Sequence, residues 1–564
     1  MSIGNHAIFT VLCCFVLAVG TARAASQPAR TAEVVFDHPG GFCQPAFTLA
    51  LNTPTKKTTI YYTTNGEDPQ PASASLYVRP IEIAATTIVR AAAFDPGTNP
   101  AGAGARTFLF VPDILRQTGA QFPKTWGTNQ GKPVPACYGM TTTNEENAAT
   151  RQVVAAGLQS IPTLSIIADP ADLFSPETGI YTHPLERGVA WERRISLEMF
   201  DAAGRPAFQC GCGLRIHGGM SRQPGESPKH SFRLAFKKHY GPARLHFPLF
   251  GAGGAQEFDT LVLRAGNNDS WLSSKGEERK RADYLRDEWM RRSMLDMGHP
   301  SARGRFVHLY LNGLYWGVYN LCEQPGPALL ASDPAAAAAG FDVLKVGKTE
   351  AGDEIVWNKM MTLANAGLND DRSYEKISRC LDLPELTDYL ILNFYAGNSD
   401  WDRSANWVAI RPRTPGGRFQ FLVWDGECTL ENPDVDTLDF DDDESPPRLF
   451  HKLSENAAFR KLFATRARRL LFNTGPLTPE KSAERFQALA NSIAAAMPAE
   501  AARWGNYRRD VPPGKTGLYE NYTVEKHWQP EVNRSLTRYF PQRRSVLLSQ
   551  FRERGLFAGQ LSEP

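Results

Sequence analysis

The segment NFYAGNSDWDRSANWVAIR, residues 393–411, is followed after a short basic turn by FQFLVWDGECTLE, residues 419–431. In both, carboxylates lie among tryptophans and directly after an apolar run: Asp400, Asp402, Asp425 and Glu427. A surface loop is usually polar throughout and a core segment apolar throughout, so this pattern is typical of neither. Carboxylates fixed at the ends of buried elements are instead typical of a functional site.

A helix and a strand are predicted next to these carboxylates. LPELTDYLILNFYAG, residues 383–397, has the length and apolar content of a buried helix, and FQFLVW predicts a strand that ends at Asp425. Residues 450–555 show apolar residues at helical spacing, for example in AFRKLFATRARRLLF. We therefore expect the second half of the chain to be mostly helical.

The preceding region, residues 161–325, is rich in predicted strands. IPTLSIIADP and DTLVLRAG are strand-like runs, and Asn312-Gly313 is a strong hairpin signal between RFVHLYL and LYWGVYN. RADYLRDEWMRRSMLDMG, residues 281–298, predicts one helix within this region. A β-rich lobe followed by a helical lobe is an α+β arrangement.

Residues 33–111 predict a small all-β module in front of these lobes. IYYTTNG, YVRPIEI and TTIVRAAAF are strand-like runs separated by turns rich in Gly, Pro and Asn. They resemble the β-sandwich from the C-terminal part of chitobiases and β-hexosaminidases, which implies an accessory module. We expect its partner to be a polysaccharide or a surface protein. Residues 112–160 predict a linker with one helical stretch.

The first 24 residues predict a secretory signal peptide. AIFTVLCCFVLAVG is short for a bilayer span, and Ala22 and Ala24 suit a cleavage site, although a buried N-terminal helix is the alternative. No other segment predicts a transmembrane helix, so we expect an exported protein that is periplasmic, surface-bound or extracellular. A net charge of +2 over 564 residues does not indicate nucleic-acid binding.

The chain offers the parts of a phosphoryl-transfer site, which needs a loop over the phosphates, a cation, a carboxylate at the acceptor hydroxyl and oxygen ligands for Mg²⁺. In HGGMSRQPG, Gly218 and Gly219 let the backbone approach a ligand and Ser221 adds a hydroxyl. Lys229 and Arg233 follow and are candidates to contact phosphates. Taken alone, the loop also suits an ordinary turn, and the two basic residues suit a solvated pair.

Asp400 and Asn406 give a sharper signal. In a kinase-like catalytic loop an Asp contacts the substrate hydroxyl and an Asn five residues later binds metal. Here the interval is six residues. Asp425 follows an apolar strand, from whose end a metal-binding carboxylate would project. The alternative for Asp425 is a carboxylate that only stabilises a turn or caps a helix.

Six motifs together resemble the CotH kinase family, named for spore coat protein H: KHSFRLAFK, FDTLVLRAGNNDSW, LRDEWMRRSMLDMG, VHLYLNGLYWGVYNLCE, GNSDWDRSANW and FLVWDGECTL. The resemblance implies an atypical, two-lobed protein-kinase-like domain over residues 161–470, with residues 471–564 as its helical extension. It also implies a secreted enzyme that uses ATP and Mg²⁺ (or Mn²⁺) to phosphorylate proteins on serine.

The resemblance implies roles for individual residues. Asp400 matches the catalytic-loop Asp, and Asn406 and Asp425 match residues that bind metal, with Glu427 as a further ligand. On the nucleotide side it places Lys229 and Glu323, to which the Gly-rich loop and the strand after it add Ser221 and Arg233. Glu323 is expected at the edge of the adenine and the other three at the phosphates. The six-residue interval, and Glu427 where a second Asp is common, leave open a pseudokinase.

Two other functions compete with a kinase acting on serine or threonine hydroxyls of exported proteins. One is a non-catalytic surface or adhesion protein, in which the kinase-like domain is structural and the front module binds the partner. The other is a glycoside hydrolase that uses Asp400 and Asp425 as its carboxylate pair. Nucleotide binding separates the kinase from both.

Overall fold

The computed structural model describes residues 33–54, 58–94, 103–141, 148–251, 253–330, 334–402, 406–511 and 520–558. The predicted signal peptide lies outside the described residues. Among the described helices, none combines the length and the apolar character that a membrane crossing requires.

The front module is a small sandwich of short strands. Its strands are β1 (Val35–Phe36), β2 (Gly41–Phe42), β3 (Phe47–Leu49), β4 (Leu51–Asn52), β5 (Thr59–Thr63), β6 (Ser75–Leu76), β7 (Ile81–Ile83), β8 (Thr87–Phe94) and β9 (Gly104–Leu109). The main sheet has the order β2-β9-β8-β5-β6, and β3 pairs with β7 and β1 with β4. Leu49, Val89 and Phe108 are fully buried between the sheets.

The segment after the module is folded against the next domain. It contains α1 (Val111–Leu115), β10 (Thr125–Asn129), β11 (Lys132–Pro135) and α2 (Ala148–Gly157). Trp126 on β10 donates a hydrogen bond from its indole nitrogen to the Tyr138 hydroxyl at 2.8 Å, and its ring lies 5.8 Å from that of Trp316. The region predicted as a linker is therefore fixed in place, and the helical stretch predicted within it is α2.

A closed barrel of seven strands forms the first lobe. Along the chain the lobe contains β12 (Thr163–Ala168), α3 (Pro170–Phe174), β13 (Arg193–Phe200), β14 (Pro206–His217), β15 (Ser231–Ala235), β16 (Leu245–His246), β17 (Glu257–Phe258), β18 (Thr260–Arg264), α4 (Gly276–Lys280), α5 (Arg286–Asp296), β19 (Gly304–Leu311) and β20 (Leu314–Glu323). The barrel order is β12-β13-β14-β15-β18-β20-β19, closed by the parallel pair β12 and β19. The predicted hairpin turn is confirmed, with Asn312 at φ 47° and Gly313 at φ 79°.

The second lobe is mostly helical but contains a sheet. Its elements are α6 (Pro334–Ala339), β21 (Phe341–Lys345), β22 (Lys348–Ala351), α7 (Ile355–Asn365), α8 (Asp371–Ser378), α9 (Leu383–Ala396), β23 (Trp407–Pro412), β24 (Gln420–Val423), α10 (Pro446–Ser454), α11 (Ala457–Leu471), α12 (Pro479–Ile493), α13 (Met497–Trp504), α14 (Tyr507–Asp510), α15 (Gln529–Arg534) and α16 (Phe540–Glu553). The sheet has the order β22-β21-β23-β24 and faces the barrel through Val262 and Cys322. The arrangement of a β-rich lobe and a helical lobe is the α+β fold that the sequence predicts.

Helix α9 leads into the loop that carries Asp400. It begins at Asp382, whose carboxylate accepts a hydrogen bond from the Glu385 amide, and it ends at Gly397 in the left-handed conformation (φ 57°). Arg543 on α16 is fully buried and donates hydrogen bonds to the Phe394 and Tyr395 carbonyls at the end of α9. The last carbonyls of a helix lack partners within it, so Arg543 fixes the point from which the loop departs.

Candidate active site

Arg264 and Asp425 meet between the two lobes. Arg264 ends β18 of the barrel, and Asp425 follows β24 of the second lobe with a left-handed φ of 61°. The Arg264 guanidinium donates hydrogen bonds to Asp425 and, at 2.6 Å, to Glu427. It also pairs with Asp287 on α5 at 3.1 Å and lies 4.6 Å from the centre of the Trp424 ring. One cation therefore joins a barrel strand, a barrel helix and the loop of the second lobe.

Asp400 and Asn406 form a compact unit beside Asp425. The Asn406 amide donates to the Asp400 carboxylate at 2.9 Å and to the Asp400 carbonyl at 2.7 Å. Asn406 has φ 58°, a left-handed conformation that costs energy in a residue with a side chain. Burial, and the nearby carboxylate of Asp425, raise the pKa of Asp400. Asp400, Asn406 and Asp425 are therefore brought together, as the sequence predicts.

Glu427, which was predicted as a further metal ligand, has a different role in the structure. Its two carboxylate oxygens accept hydrogen bonds from Arg264 and, at 2.8 Å, from the Asn268 amide, and its side chain is 7% exposed. Burial, with the charges of Asp425 and Asp287, raises its pKa to about 7 despite Arg264. The predicted role as a metal ligand is corrected to that of an anchor for Arg264.

The outer face of the barrel next to this site carries several cations. Arg215 on β14 stands opposite Arg233 on β15 in the register of the two strands, and both are partly exposed. Burial, followed by the charges of Lys345, Arg264 and other cations, holds the pKa of His217 well below its usual range. We call Arg215, Arg233 and Arg264 of the barrel, together with Lys345 on β21 of the second lobe, the cationic face.

Arg233, the predicted phosphate contact, belongs to this cationic face. Its guanidinium donates one hydrogen bond, to the Thr260 hydroxyl at 3.3 Å, and its buried Nε has no hydrogen-bond partner among the described residues. Burial and the charge of Arg215 lower its pKa. A buried donor without a partner favours an anionic ligand at this position.

The Gly-rich loop after β14 is anchored rather than free. Gly218 has φ 112°, and a Cβ there would lie 2.3 Å from the Ser221 hydroxyl oxygen, so the turn requires glycine. Arg222 is buried and donates to the carbonyls of Gly218 and, at 2.9 Å, of Pro184. The predicted phosphate contact of Ser221 lies on this turn, directly after the β14 residues that border the cationic face.

Lys229, which was predicted to contact phosphates, is enclosed by groups of the protein instead. Its ammonium group is fully buried, 2.7 Å from the Glu500 carboxylate on α13, and it also donates to the Val318 carbonyl at 2.7 Å. Its nitrogen lies 4.8 Å from the centre of the Tyr319 ring. Because every neighbour is an internal group of the protein, we correct this prediction: Lys229 fastens the start of β15 to the second lobe.

Glu323 ends β20, the last barrel strand before the chain enters the second lobe. Its carboxylate accepts a hydrogen bond from the Arg303 amide at 2.8 Å and is largely buried. Burial raises the pKa of Glu323. The residue therefore stands where the barrel leads into the second lobe, and one of its carboxylate oxygens is occupied by the backbone. Its place at the adenine edge stays a prediction.

The oxygen donors beside Arg264 suit a magnesium ion only in part. Within the described ranges, no three His, Cys, Asp or Glu side chains are arranged to hold a metal ion. Asp425 is 43% exposed, and the Asn406 amide uses its nitrogen towards Asp400, which leaves the carbonyl oxygen available. One carboxylate and one amide oxygen fit Mg²⁺ bound to a triphosphate, because this ion takes its other ligands from water and phosphate.

Arg264 and Asp287 were missed by the sequence analysis. Arg264 ends the apolar run DTLVLR as Asp425 ends FQFLVW, so the same signal, a charge at the end of an apolar strand, was available. Asp287 had no such signal. It lies on α5, whose charged residues are buried as well as its apolar ones. Asp287 itself is covered by its ion pair with Arg264.

Comparison with known proteins agrees with this geometry. Residues 214–547, more than half of the chain, match the family model described as CotH kinase protein. Residues 38–103 match the model of the chitobiase/beta-hexosaminidase C-terminal domain. No curated protein matches the chain. The first match begins within β14 and extends through most of α16, and so includes every residue of the site described above.

Proposed function

Because the chain belongs to the CotH kinase protein family, we propose that it transfers the γ-phosphate of ATP to serine or threonine hydroxyls of exported or surface proteins. The observation that carries this proposal is the meeting of Arg264 with Asp425 between the lobes. The cationic face meets Asp425 through Arg264 at this contact, and Asp400 and Asn406 lie beside Asp425. Phosphoryl transfer depends on positioning and charge neutralisation, and this arrangement supplies both signs of charge.

On the nucleotide side, Arg264 and Arg233 would contact the phosphates. Arg264 is held by three carboxylates and stacks on Trp424, so it would enter the reaction already oriented. Asp425 and Asn406 would hold Mg²⁺ (or Mn²⁺), which would neutralise charge on the triphosphate. When the ion binds Asp425, Arg264 would become available to the phosphates.

Asp400 would accept the proton of the acceptor hydroxyl. Its carboxylate is oriented by Asn406, and its raised pKa favours uptake of a proton. Lys275, whose charge acts on Asp400, lies 2.7 Å from Glu278 and would offset the negative charge near the acceptor. The acceptor protein itself would be exported, in keeping with the predicted signal peptide.

Two substitutions test the proposal. Asp425→Ala should abolish metal-dependent ATP binding, because several phosphate charges would then face Asp400 without the metal ligand. Asp400→Asn should retain ATP binding and lose transfer by about two or more orders of magnitude, because it removes only the proton acceptor. Asp443→Ala, at a side chain that is 76% exposed, is the control and should change neither.

Calorimetry with ATP and Mg²⁺ or Mn²⁺ measures binding, and labelled ATP with a panel of exported host proteins measures transfer. ATP binding without transfer by the wild type would favour the pseudokinase. The kinase assignment is wrong if both variants keep wild-type transfer, or if the wild type binds no nucleotide with either metal. Equal losses of thermal stability with unchanged ATP binding would show that both carboxylates are structural.

A further inference from the structure

A cavity of about 790 Å³ lies where the front module, the segment after it and the barrel meet. It is lined by module residues 64–67 and 86–88, by residues 121–127 of the following segment, and by barrel residues around α3 and the β19–β20 turn. None of these residues belongs to the site around Arg264. The volume is that of a small-molecule binding site.

The walls of this cavity are fixed by contacts between the module and the barrel. The Thr107 amide donates to the Glu198 carboxylate at 2.8 Å, and the hydroxyls of Thr107 and Ser165 are 2.8 Å apart. Asn312 is bonded to the Ala168 backbone, and a Cβ on Gly66 would lie 3.0 Å from its amide nitrogen. The module is therefore docked closely, and the cavity is a permanent feature of the fold.

The lining of the cavity is neutral and mixes polar with apolar groups. Glu67 is its single charged residue, so nothing in it attracts an anion. Gln121 and Thr125 line it and form no side-chain hydrogen bond with the rest of the described chain, so they are available to a ligand. Phe122 is half-buried and Phe174 is buried, with ring centres 5.7 Å apart, so Phe122 supplies the accessible aromatic surface.

We propose that this cavity binds a short neutral oligosaccharide. Sugars offer hydroxyls for the amide and hydroxyl groups and C–H faces for the phenyl and proline rings, and they carry no charge. A hydrocarbon ligand would make no use of the polar groups of Gln121 and Thr125, which are exposed in the cavity. A peptide added as a strand would find little room beside β10 at Gly127, because a Cβ there would lie 2.6 Å from the Thr182 carbonyl oxygen. The proposal does not depend on kinase activity.

Calorimetric titration of residues 25–564 with neutral tri- to hexasaccharides of glucose, xylose and N-acetylglucosamine tests the site. Oligogalacturonate and a proline-rich peptide serve as charged and peptide comparisons. We expect at least one neutral series to bind with a Kd of about 1 mM or lower. Ala171→Trp, on the lining helix α3, should fill the cavity and weaken binding at least tenfold. Ala202→Trp, at an exposed turn of the barrel, is the matched control and should leave binding unchanged.

Gln121→Ala is a second test that adds no side-chain volume to the cavity. It should also weaken oligosaccharide binding, by about tenfold for one lost hydrogen bond. Thermal melts verify that each variant is folded. The proposal is overturned if no neutral oligosaccharide binds at millimolar concentration, if Ala171→Trp and Ala202→Trp bind equally well, or if the peptide or the acidic sugar binds more tightly.

Discussion

Replacing Arg264 by methionine should destabilise the protein strongly, and more so at high pH. Methionine keeps the length and apolar character of the side chain but removes the cation shared by three carboxylates. Two of these, Glu427 and Asp287, are 7% and 9% exposed, whereas Asp425 is 43% exposed. Removing one partner of a buried ion pair costs roughly 3–5 kcal/mol, and the exposed pair adds little.

The pH dependence follows from Glu427. Its pKa is raised from 4.5 to about 7, so the folded protein binds this proton more tightly than the unfolded chain does. The stability that this proton supplies is present below about pH 4.5 and is lost as the pH rises through 7. Without Arg264 the pKa should rise further, so the loss caused by Arg264→Met should approach about 3–5 kcal/mol at pH 8.5. At pH 5.5 it should be smaller, because Glu427 is then protonated.

Urea unfolding followed by tryptophan fluorescence at the two pH values measures this loss. Arg264→Met with Glu427→Gln should recover part of the stability at pH 8.5, since the double variant leaves one buried charge fewer. Arg205→Met is the control, because Arg205 is 79% exposed in its pair with Asp201 and should lose less than about 1 kcal/mol. The reasoning is refuted if Arg264→Met loses less than about 1 kcal/mol at pH 8.5, or loses the same at both values.

Two further outcomes follow from the contacts outside the site. Lys229→Met should lower the free energy of unfolding, measured in urea, by roughly 3–5 kcal/mol, because both Lys229 and its partner Glu500 are fully buried. Lys229→Met with Glu500→Gln should recover part of this loss. A weaker affinity for ATP without a change in stability would instead support the phosphate role of Lys229. Removal of residues 25–111 should lower the melting temperature, because the contacts of Thr107 with the barrel are lost, and should leave ATP binding intact; loss of ATP binding by the folded truncated chain would show that the module shares the site.

Local chemistry made parts of the fold predictable. The turn at Asn312-Gly313 could be read from two residues because left-handed backbone there favours Asn and Gly. The end of α9 at Gly397 follows the same rule. Closure of the barrel could not be predicted in this way, because the parallel pairing of β12 with β19 joins distant strands and has no local signal.

The residues of the candidate site could likewise be predicted only where the signal in the sequence was local. Asp400, Asn406 and Asp425 sit at element ends within one short stretch of sequence, so a local pattern marked them as candidates, and the family resemblance supplied their roles. The assignment of Lys229 was wrong because its partner, Glu500, lies 271 positions away, and no residue near Lys229 in the sequence indicates this pairing. The role of Arg264 could not be predicted in this way because its three carboxylate partners lie on other elements and no residue next to it indicates them.

The contact between Arg543 and the carbonyl of Tyr395 spans 148 positions of the chain. A ribosome makes these residues in order, so all of α9 is made before the side chain that fixes its end. The end of α9 gains this contact only after residue 543 has been made and α16 has docked. A nascent chain, or one that lacks α16, would contain Asp400 and Asn406 without the contact that fixes the end of α9. The phosphoryl transfer proposed for this loop would therefore depend on the last helix, and a chain without α16 is expected to be inactive.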